Sequence, residues 1–472
     1  MKSSRTLVNN GTVVSMDPAV GTLRTGAVLI EGDRIVKVAA EIDASDCDVI
    51  DATGQIVLPG LIDAHRHLWY APLRGDAMDA VFKDLVTGLY PMVAAEFTAE
   101  DLYNANRAGI AVALSTGVTT VFDWCHVLNS AEHAVAAVQA HLDMPARAIF
   151  GYGASMSRKL SELRDGPGHD DSWSPARALR QTTLSDDHGR TTMALAIQGP
   201  DVSPIEVVAA DVGVARALGV PVSMHIGTGG VAKFSIRALA DAGLLGADMQ
   251  FVHCCNTTDE ELRLVADAGA QIVVCPSCEL MMGIGLPPTA RVRAAGIRPA
   301  FGTDAVIASS SDMFEEARMG LASARLRGLE GILRSGTPLT SSGQLGMTSM
   351  DALRAITIDA AAACGLDREI GSLTPGKQAD LITLRGEDPN LWPANRVVQT
   401  LIGSANGGNV ETVIIAGQVI RDATGFSGFS LPEVRQALER TRDRLFGVHE
   451  YAGYEPERAM SGRPGRVGVT SD

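Results

Sequence analysis

The chain has 472 residues, of which 46% are hydrophobic and 20% charged, a balance that predicts a globular protein and excludes a disordered one. A formal net charge of −15 without any basic block excludes nucleic acid and anionic membrane surfaces as expected partners. No apolar run reaches the roughly 18 residues of a membrane span. The start does not resemble a signal peptide, and the seven cysteines have no disulfide-framework spacing. We therefore expect a cytoplasmic protein.

Residues 1–55 contain short alternating runs that predict β-strands, with a hairpin signal at Gly32-Asp33. Nothing in this segment suggests chemistry. We expect a small β unit that leads into Ile56–Ile62, an apolar run long enough for one buried strand although it contains Pro59 and Gly60.

Two histidines, His65 and His67, follow this apolar run and are separated by one residue. On a strand, residues i and i+2 point to the same side, so both imidazoles are expected to face one point beyond the carboxyl end. Neutral imidazole is a common metal ligand, and two converging rings provide half of a tetrahedral shell. The alternative is a chance pair of histidines on a polar loop.

From residue 56 to about residue 365, short apolar strands alternate with amphipathic helices. Eight strands are predicted: Ile56–Ile62, Val118–Asp123, Ala146–Tyr152, Met193–Gln198, Val220–His225, Met249–His253, Gln271–Cys275 and Arg298–Gly302. Thr258 and Glu261 form a capping box for one of the helices, and Ser203 with Glu206 predicts another. Eight alternations favour an α/β fold of the TIM type, a parallel (β/α)8 barrel.

Ionisable side chains stand at the ends of these predicted strands. His225 ends the fifth strand, His253 ends the sixth, and Asp304 follows the eighth. Taken singly, each side chain can equally be a capping or surface residue. In a barrel of this type, however, the carboxyl ends of all strands meet on one face, which carries the active site. The sequence therefore predicts that these residues converge with the first two histidines.

Several stretches resemble the amidohydrolase superfamily, in its branch of cytosine deaminases and triazine hydrolases. They are Leu58–His67, Ser223–His225, Phe251–His253, Cys275–Ser277, Phe301–Asp304 and Gly371–Leu381. The resemblance implies a barrel over residues 56–365 and a small β-sandwich formed jointly by residues 1–55 and 366–425. Residues 426–472 are expected to form a C-terminal helix and tail.

The resemblance also implies a set of site residues. One divalent metal ion is expected to bind to His65, His67, His225 and Asp304, with His253 beside the metal's water and Asp304 acting also as a base. Relatives with two metals carry a lysine at the end of strand four, and no lysine stands there. We therefore expect one ion per chain. Zinc fits best, although iron, cobalt and manganese use similar ligands.

Two positions depart from the pattern of this branch. Deaminases of the branch have a glutamate three residues after the third metal histidine, where this chain has Thr228, whose hydroxyl cannot act as an acid near neutral pH. After strand seven, relatives often have an asparagine where this chain has Glu279. Glu279 can point into the pocket, contact a substrate N–H or replace the absent acid; the alternative is a solvated loop carboxylate.

Further pocket residues are predicted from position alone. His126 follows strand two, Gln198 ends strand four, and Trp69 and Tyr70 come directly after the metal pair. A substrate contact is expected for His126, Gln198 and Trp69, as for Thr228 and Glu279. The alternative for each is a role in the core or at the rim.

These features predict a metal-dependent hydrolase that cleaves a C–N bond of a small molecule other than a peptide bond. The bond would belong to a cyclic amide, a carbamate or thiocarbamate, or a substituted N-heterocycle. One alternative is a deaminase that releases ammonia from a purine, pterin, pyrimidine or triazine. Another is a non-catalytic barrel that serves as a binding or assembly module. A homo-oligomer, dimer or tetramer, is the expected assembly.

Overall fold

The computed structural model describes residues 5–448, except for residues 44, 154, 156–172, 231, 337 and 338. Within these residues the chain forms seventeen strands. In chain order they are β1 Arg5–Val14, β2 Thr22–Glu31, β3 Arg34–Ala39, β4 Asp48–Asp51, β5 Gln55–Pro59, β6 Leu61–Arg66, β7 Val118–Cys125, β8 Arg147–Gly153, β9 Thr191–Ala196, β10 Val222–Ile226, β11 Met249–His253, β12 Gln271–Val274, β13 Ala300–Phe301, β14 Leu381–Arg385, β15 Val410–Ile415, β16 Gln418–Asp422 and β17 Gly425–Phe426.

Strands β6 to β13 form one parallel sheet in which each strand pairs with its neighbour in the chain. A bridge between Arg66 and Asp304 brings the last strand back to the first, so the sheet is a nearly closed barrel. Each of the eight predicted strand regions contains at least part of a barrel strand, and the predicted (β/α)8 fold is confirmed. The carboxyl ends of the eight strands consequently lie on one face of the barrel.

Helices connect the barrel strands and follow the last one. They are Ala99–Ser115, Ala131–Asp143, Ser174–Gln181, Ile205–Leu218, Ser235–Asp241, Asp259–Ala268, Pro276–Met281, Thr289–Ala294, Met313–Arg334, Ser349–Ala355 and Ile358–Ala363. Shorter turns follow β6: Leu68–Leu73, Phe82–Asp84, Leu85–Leu89, Tyr90–Val93 and Ala94–Glu96. Helix Val397–Ser404 and the turns Ser342–Leu345 and Gly407–Asn409 complete the described helical segments up to residue 430.

Local capping explains where these helices begin and end. Thr258 and Glu261 form the predicted capping box, and Gly269 ends that helix in the left-handed region with φ 71°. The box predicted at Ser203 is wrong, because helix Ile205–Leu218 begins after Pro204 without a side-chain cap. The Ser203 hydroxyl instead donates to Gln198 Oε1 over 3.4 Å.

The predicted strand Ile56–Ile62 is in fact two strands that belong to different sheets. β5 pairs with β1 and β14 of the small sheet, whereas β6 opens the barrel. The break falls at Gly60, where an added Cβ would collide with the side chain of Thr119. Only a residue without a side chain lets the backbone pass this close to β7. The barrel therefore begins at Leu61 rather than at Ile56.

The remaining nine strands form one mixed sheet from both ends of the chain, the two segments from which the resemblance implies a small β-sandwich. The order is β17-β16-β15-β14-β5-β1-β2-β3, and β4 pairs with β1. The sheet packs its own apolar cluster, which includes Val28, Ile30 and Leu381. A buried ion pair between Arg147 Nε and Asp380 Oδ2, 2.9 Å apart, joins it to the barrel.

The C-terminal helix Leu431–Val448 packs against the barrel helix Ala99–Ser115. Asn104 Nδ2 donates to Thr441 Oγ1 over 3.3 Å, and Arg444 pairs with Asp101. The helix agrees with the prediction, whereas the predicted tail falls on residues 449–472, outside the described residues. Within the described part of the chain, no helix has the length and apolar character needed to cross a membrane.

Candidate metal centre and substrate cavity

The predicted polar residues at the strand ends lie together. His65 belongs to β6, His225 to β10 and His253 to the end of β11. Side-chain atoms of these three histidines and of Asp304 all lie within 4.8 Å of one another. His67 joins the cluster through its Nε2 atom, which is 3.2 Å from Asp304 Oδ1. The barrel thus brings together residues that are up to 239 positions apart in the chain, from 65 to 304.

Two spacings between donor atoms match those around one tetrahedral metal ion. Asp304 Oδ1 lies 3.3 Å from His65 Nε2, and His225 Nε2 also lies 3.3 Å from His65 Nε2. Metal–ligand bonds of about 2.0–2.2 Å at tetrahedral angles put neighbouring ligand atoms about 3.3–3.6 Å apart. Three histidine nitrogens and one carboxylate oxygen also form a donor set that divalent ions such as zinc accept.

Hydrogen bonding and burial keep the histidines in the form that binds a metal. His67 Nδ1 lies 2.6 Å from the carbonyl oxygen of Trp124, so its N–H is held there and Nε2 carries the free lone pair. Burial lowers the pKa of His65 to about 4 and the pKa of His225 well below its usual value. For Asp304, burial alone would raise the pKa, but contacts with His65 and His67 outweigh it and hold the pKa well below its usual range.

His253 connects Asp304 of the cluster with a buried carboxylate. Its Nε2 lies 3.7 Å from Asp304 Oδ2, and its Nδ1 lies 3.1 Å from Glu279 Oε1. Glu279 is fully buried and also accepts a hydrogen bond of 2.8 Å from the backbone N–H of Cys275. It is therefore not a solvated loop residue, and it does not line the cavity. Glu279 is linked to the metal-binding cluster through its hydrogen bond with His253.

The backbone is strained at two of these residues. His253 and Asp304 have φ angles of 74° and 57°, in the left-handed region that non-glycine residues rarely adopt. Two backbone hydrogen bonds hold the left-handed conformation of Asp304. Its N–H donates to the His65 carbonyl oxygen over 3.0 Å, and its carbonyl oxygen accepts from the His67 N–H over 2.8 Å. Gly302 permits this close approach, because a Cβ there would lie 2.5 Å from the His65 carbonyl oxygen.

Asp63 ties the strand that carries the metal pair to the strand that leads to Asp304. Its carboxylate accepts hydrogen bonds from Thr303 N (3.0 Å) and Thr303 Oγ1 (2.6 Å), and it lies 3.6 Å from the Arg66 guanidinium. Asp63 and Arg66 are both buried. We predict that Asp63→Ala lowers the free energy of unfolding by about 3 kcal/mol, because Arg66 is left as an unpaired buried charge.

Urea unfolding of the metal-free protein measures this effect. Asp63→Asn is the matched control, since it keeps the size of the side chain and an acceptor for Thr303 but also leaves Arg66 unpaired, and we expect it to lose most of the same stability. Equal unfolding midpoints for the alanine variant and the wild type would contradict the prediction.

A cavity of about 430 Å³ opens beside the cluster, within the usual range for small-molecule sites. Its apolar wall consists of Val81, Phe82, Val86, Ile197 and Val202. The polar lining includes His126, Gln198 and Thr228, three of the residues predicted to contact substrate. His225 belongs both to the ligand cluster and to the cavity wall.

Two of the lining residues have polar atoms without a hydrogen-bond partner in the described structure. They are both ring nitrogens of His126 and Nε2 of Gln198. Burial keeps the pKa of His126 well below its usual value, so the ring is neutral. Trp69 differs from the prediction, because its indole is fully buried and stands edge-on to the His126 ring, 5.4 Å between centroids. It supports His126 rather than lining the cavity.

Asp201 and Tyr90 are among the lining residues that sequence reasoning missed. Asp201 Oδ2 accepts hydrogen bonds from Gly227 N (2.8 Å) and Thr228 N (3.4 Å), and Oδ1 accepts one from Ser235 Oγ (2.6 Å). It therefore holds the loop after β10 that follows His225. Asp201 comes five residues after the end of β9, outside the predicted strands and motifs. No periodicity marks Tyr90, which follows a turn of the π type at Leu85–Leu89.

A parallel barrel with a histidine and carboxylate cluster at its carboxyl face defines the class of metal-dependent barrel hydrolases. The chain belongs to the Amidohydrolase family, whose sequence profile matches residues 56–420. It is a hydrolase that acts on carbon–nitrogen bonds other than peptide bonds, and metal dependence is a property of its family.

Curated and solved relatives span nearly the whole chain. A 5-methylthioadenosine/S-adenosylhomocysteine deaminase of Symbiobacterium thermophilum is 30% identical over 457 residues, covering 93% of this chain and 99% of the relative. An adenosine deaminase structure from Xanthomonas campestris with bound zinc superimposes with a TM-score of 0.80 at 24% identity, covering 94% and 99% of the two chains. An atrazine chlorohydrolase structure from Arthrobacter aurescens, complexed with zinc, has a TM-score of 0.82 at 21% identity, covering 93% and 100%.

Proposed function

We propose that the chain binds one divalent metal ion, zinc by preference, through His65, His67, His225 and Asp304, and hydrolyses a C–N bond of a small, mostly neutral molecule. The proposal rests on the position of His225, which belongs both to the ligand cluster and to the wall of the cavity. A substrate in the cavity would thus lie directly against the metal site. The predicted cytoplasmic location and homo-oligomeric assembly stay predictions.

Asp304, His253 and Glu279 would have different roles in the hydrolysis. When bound, the ion supplies a water molecule whose pKa falls to about 7. Asp304 would accept the proton of the attacking water at Oδ2, the oxygen that faces His253 Nε2 at 3.7 Å. His253 would deliver a proton to the departing nitrogen, and Glu279 would hold its ring through Nδ1. The geometry favours Glu279 as a positioning residue, since it does not reach the cavity.

Gln198 and His126 are proposed as substrate contacts. Their unpartnered polar atoms provide a donor from Gln198 and a neutral acceptor or donor from His126 in the lining of the cavity. Such a lining suits the ring nitrogens or carbonyl group of a heterocycle, cyclic amide or carbamate. Thr228 would contribute a hydroxyl contact but no acid.

A second candidate function is deamination of an aminated heterocycle of the adenosine type. It is favoured by the relatives, since the one that is 30% identical over nearly the full chain is named a 5-methylthioadenosine/S-adenosylhomocysteine deaminase. The threonine at position 228 argues against the usual glutamate shuttle, so this candidate requires another donor for the ring nitrogen.

Metal-loaded protein should hydrolyse at least one compound of a panel containing 5′-methylthioadenosine, adenosine, aminotriazines, cyclic amides and carbamates. Ammonia release and loss of substrate are measured in parallel. Removal of the metal with a chelator should abolish turnover, and added zinc should restore it. Ammonia from an adenosine derivative would favour the second candidate, whereas another leaving group would favour the first. Turnover that survives complete removal of metal would contradict both.

A further inference from the structure

Two tyrosine hydroxyls meet at the wall of the cavity, beside the metal-binding cluster. Tyr90 lines the cavity, and its hydroxyl oxygen lies 2.5 Å from that of Tyr70. Tyr70 is fully buried, and its ring meets the His67 ring edge-on with centroids 5.6 Å apart. The pair therefore connects a proposed metal ligand with the space in which a substrate binds.

The direction of this hydrogen bond follows from the burial of the Tyr70 hydroxyl, whose proton requires an acceptor. Tyr90 is the one partner that the described residues provide for the Tyr70 hydroxyl. If Tyr90 donated to Tyr70, the Tyr70 proton would be buried without an acceptor, which is unfavourable. Tyr70 therefore donates to Tyr90, and the Tyr90 proton remains free to point into the cavity.

Both hydroxyls stay protonated near neutral pH, because burial raises the pKa of Tyr70 and of Tyr90. A hydroxyl that accepts one hydrogen bond becomes a stronger donor in the next. Tyr90 thus presents a polarised O–H group close to the metal-binding cluster.

The segment that carries Tyr90 also packs against the loop that carries Thr228. Gly229 passes so close to Phe82 that an added Cβ would lie 3.3 Å from the ring atom Cδ1. Phe82 N donates to Met282 O over 3.0 Å, which attaches the same segment to the loop after β12. Tyr90 and Thr228 therefore both line this cavity, on two segments that pack against each other through Phe82 and Gly229.

We propose that Tyr90 is a catalytic residue that donates a hydrogen bond to the substrate nitrogen or oxygen on which negative charge develops, and that Tyr70 is its positioning residue. The inference rests on the hydrolase function proposed above. It assigns to Tyr90 the donor role that Thr228 cannot fill. No proton leaves Tyr90 in this role, so the balance of the hydrolysis is unchanged.

Tyr90→Phe and Tyr70→Phe in the metal-loaded, full-length protein test the proposal. With a compound of the panel that the wild type hydrolyses, kcat of Tyr90→Phe should fall about 100-fold while KM and metal content change little. Tyr70→Phe should lower kcat about 10-fold. The double variant should be no slower than Tyr90→Phe, because Tyr70 acts through Tyr90. Tyr103→Phe, which removes a hydroxyl bonded to Asp143 over 2.6 Å outside the cavity, is the matched control and should keep wild-type kcat.

A second readout does not depend on turnover. Without substrate, Tyr90→Phe should melt about 2 °C below Tyr70→Phe, because it leaves the Tyr70 proton buried without an acceptor. A wild-type kcat in Tyr90→Phe, or a loss of kcat that only follows a loss of metal, would overturn the catalytic role. The reverse order of melting temperatures would overturn the direction of the bond. If the wild type hydrolyses none of the panel, the hydrolase proposal and the role of Tyr90 fall together, and the melting temperatures still judge the hydroxyl pair.

Discussion

His225→Ala should lose bound metal and turnover together, from about one ion per chain to near none. The substitution removes Nε2, which lies 3.3 Å from His65 Nε2 and is one of the four proposed ligand atoms. Three remaining ligands would hold the ion weakly, and without the ion the attacking water keeps the high pKa of bulk water. Metal content by elemental analysis and kcat on the same sample measure both effects.

His126→Ala is the matched control for this experiment. His126 is also a buried histidine of the cavity, and its ring lies 4.5 Å from the His67 ring between centroids. Both of its nitrogens lack partners in the described structure. We expect this variant to keep its metal while KM rises. A His225→Ala variant that keeps stoichiometric metal would contradict the proposed ligand set.

His253→Ala should lower kcat about 10²- to 10⁴-fold while the metal remains bound, as expected for the loss of a proton donor. Nε2 of His253 is 3.7 Å from Asp304 Oδ2, whereas the proposed ligand atoms approach one another to 3.2–3.3 Å. Loss of metal in proportion to the loss of kcat would make His253 a ligand instead.

Glu279→Gln tests whether Glu279 positions the imidazole ring of His253. The amide keeps the size of the side chain but removes the negative charge beside Nδ1, so we expect kcat to fall about 10- to 100-fold with metal retained. Glu316→Gln is the matched control, because Glu316 is equally buried and accepts a hydrogen bond of 3.1 Å from Ser277 N without contacting His253. Equal kcat values in the two variants would contradict a positioning role for Glu279.

The local pattern of the sequence was sufficient to predict the barrel. Buried parallel strands appear as short apolar runs between helix signals, and this signal depends only on neighbouring residues. It failed at Ile56–Ile62, because one apolar run serves two sheets and the collision that demands Gly60 comes from Thr119 on another strand. The predicted cluster of histidines and Asp304 followed from topology, since every strand of a parallel barrel ends on the same face.

By itself, then, the sequence determined the fold, the family resemblance and the candidate ligands, because strand ends and motifs are local features that topology brings together. Only the tertiary structure decided what Glu279, Trp69 and Tyr90 contact. Glu279 meets His253 across 26 residues and Tyr90 meets Tyr70 across 20, and no local periodicity encodes either contact. A buried polar group must find a hydrogen-bond partner, and the packing of distant segments decides which partner lies within reach.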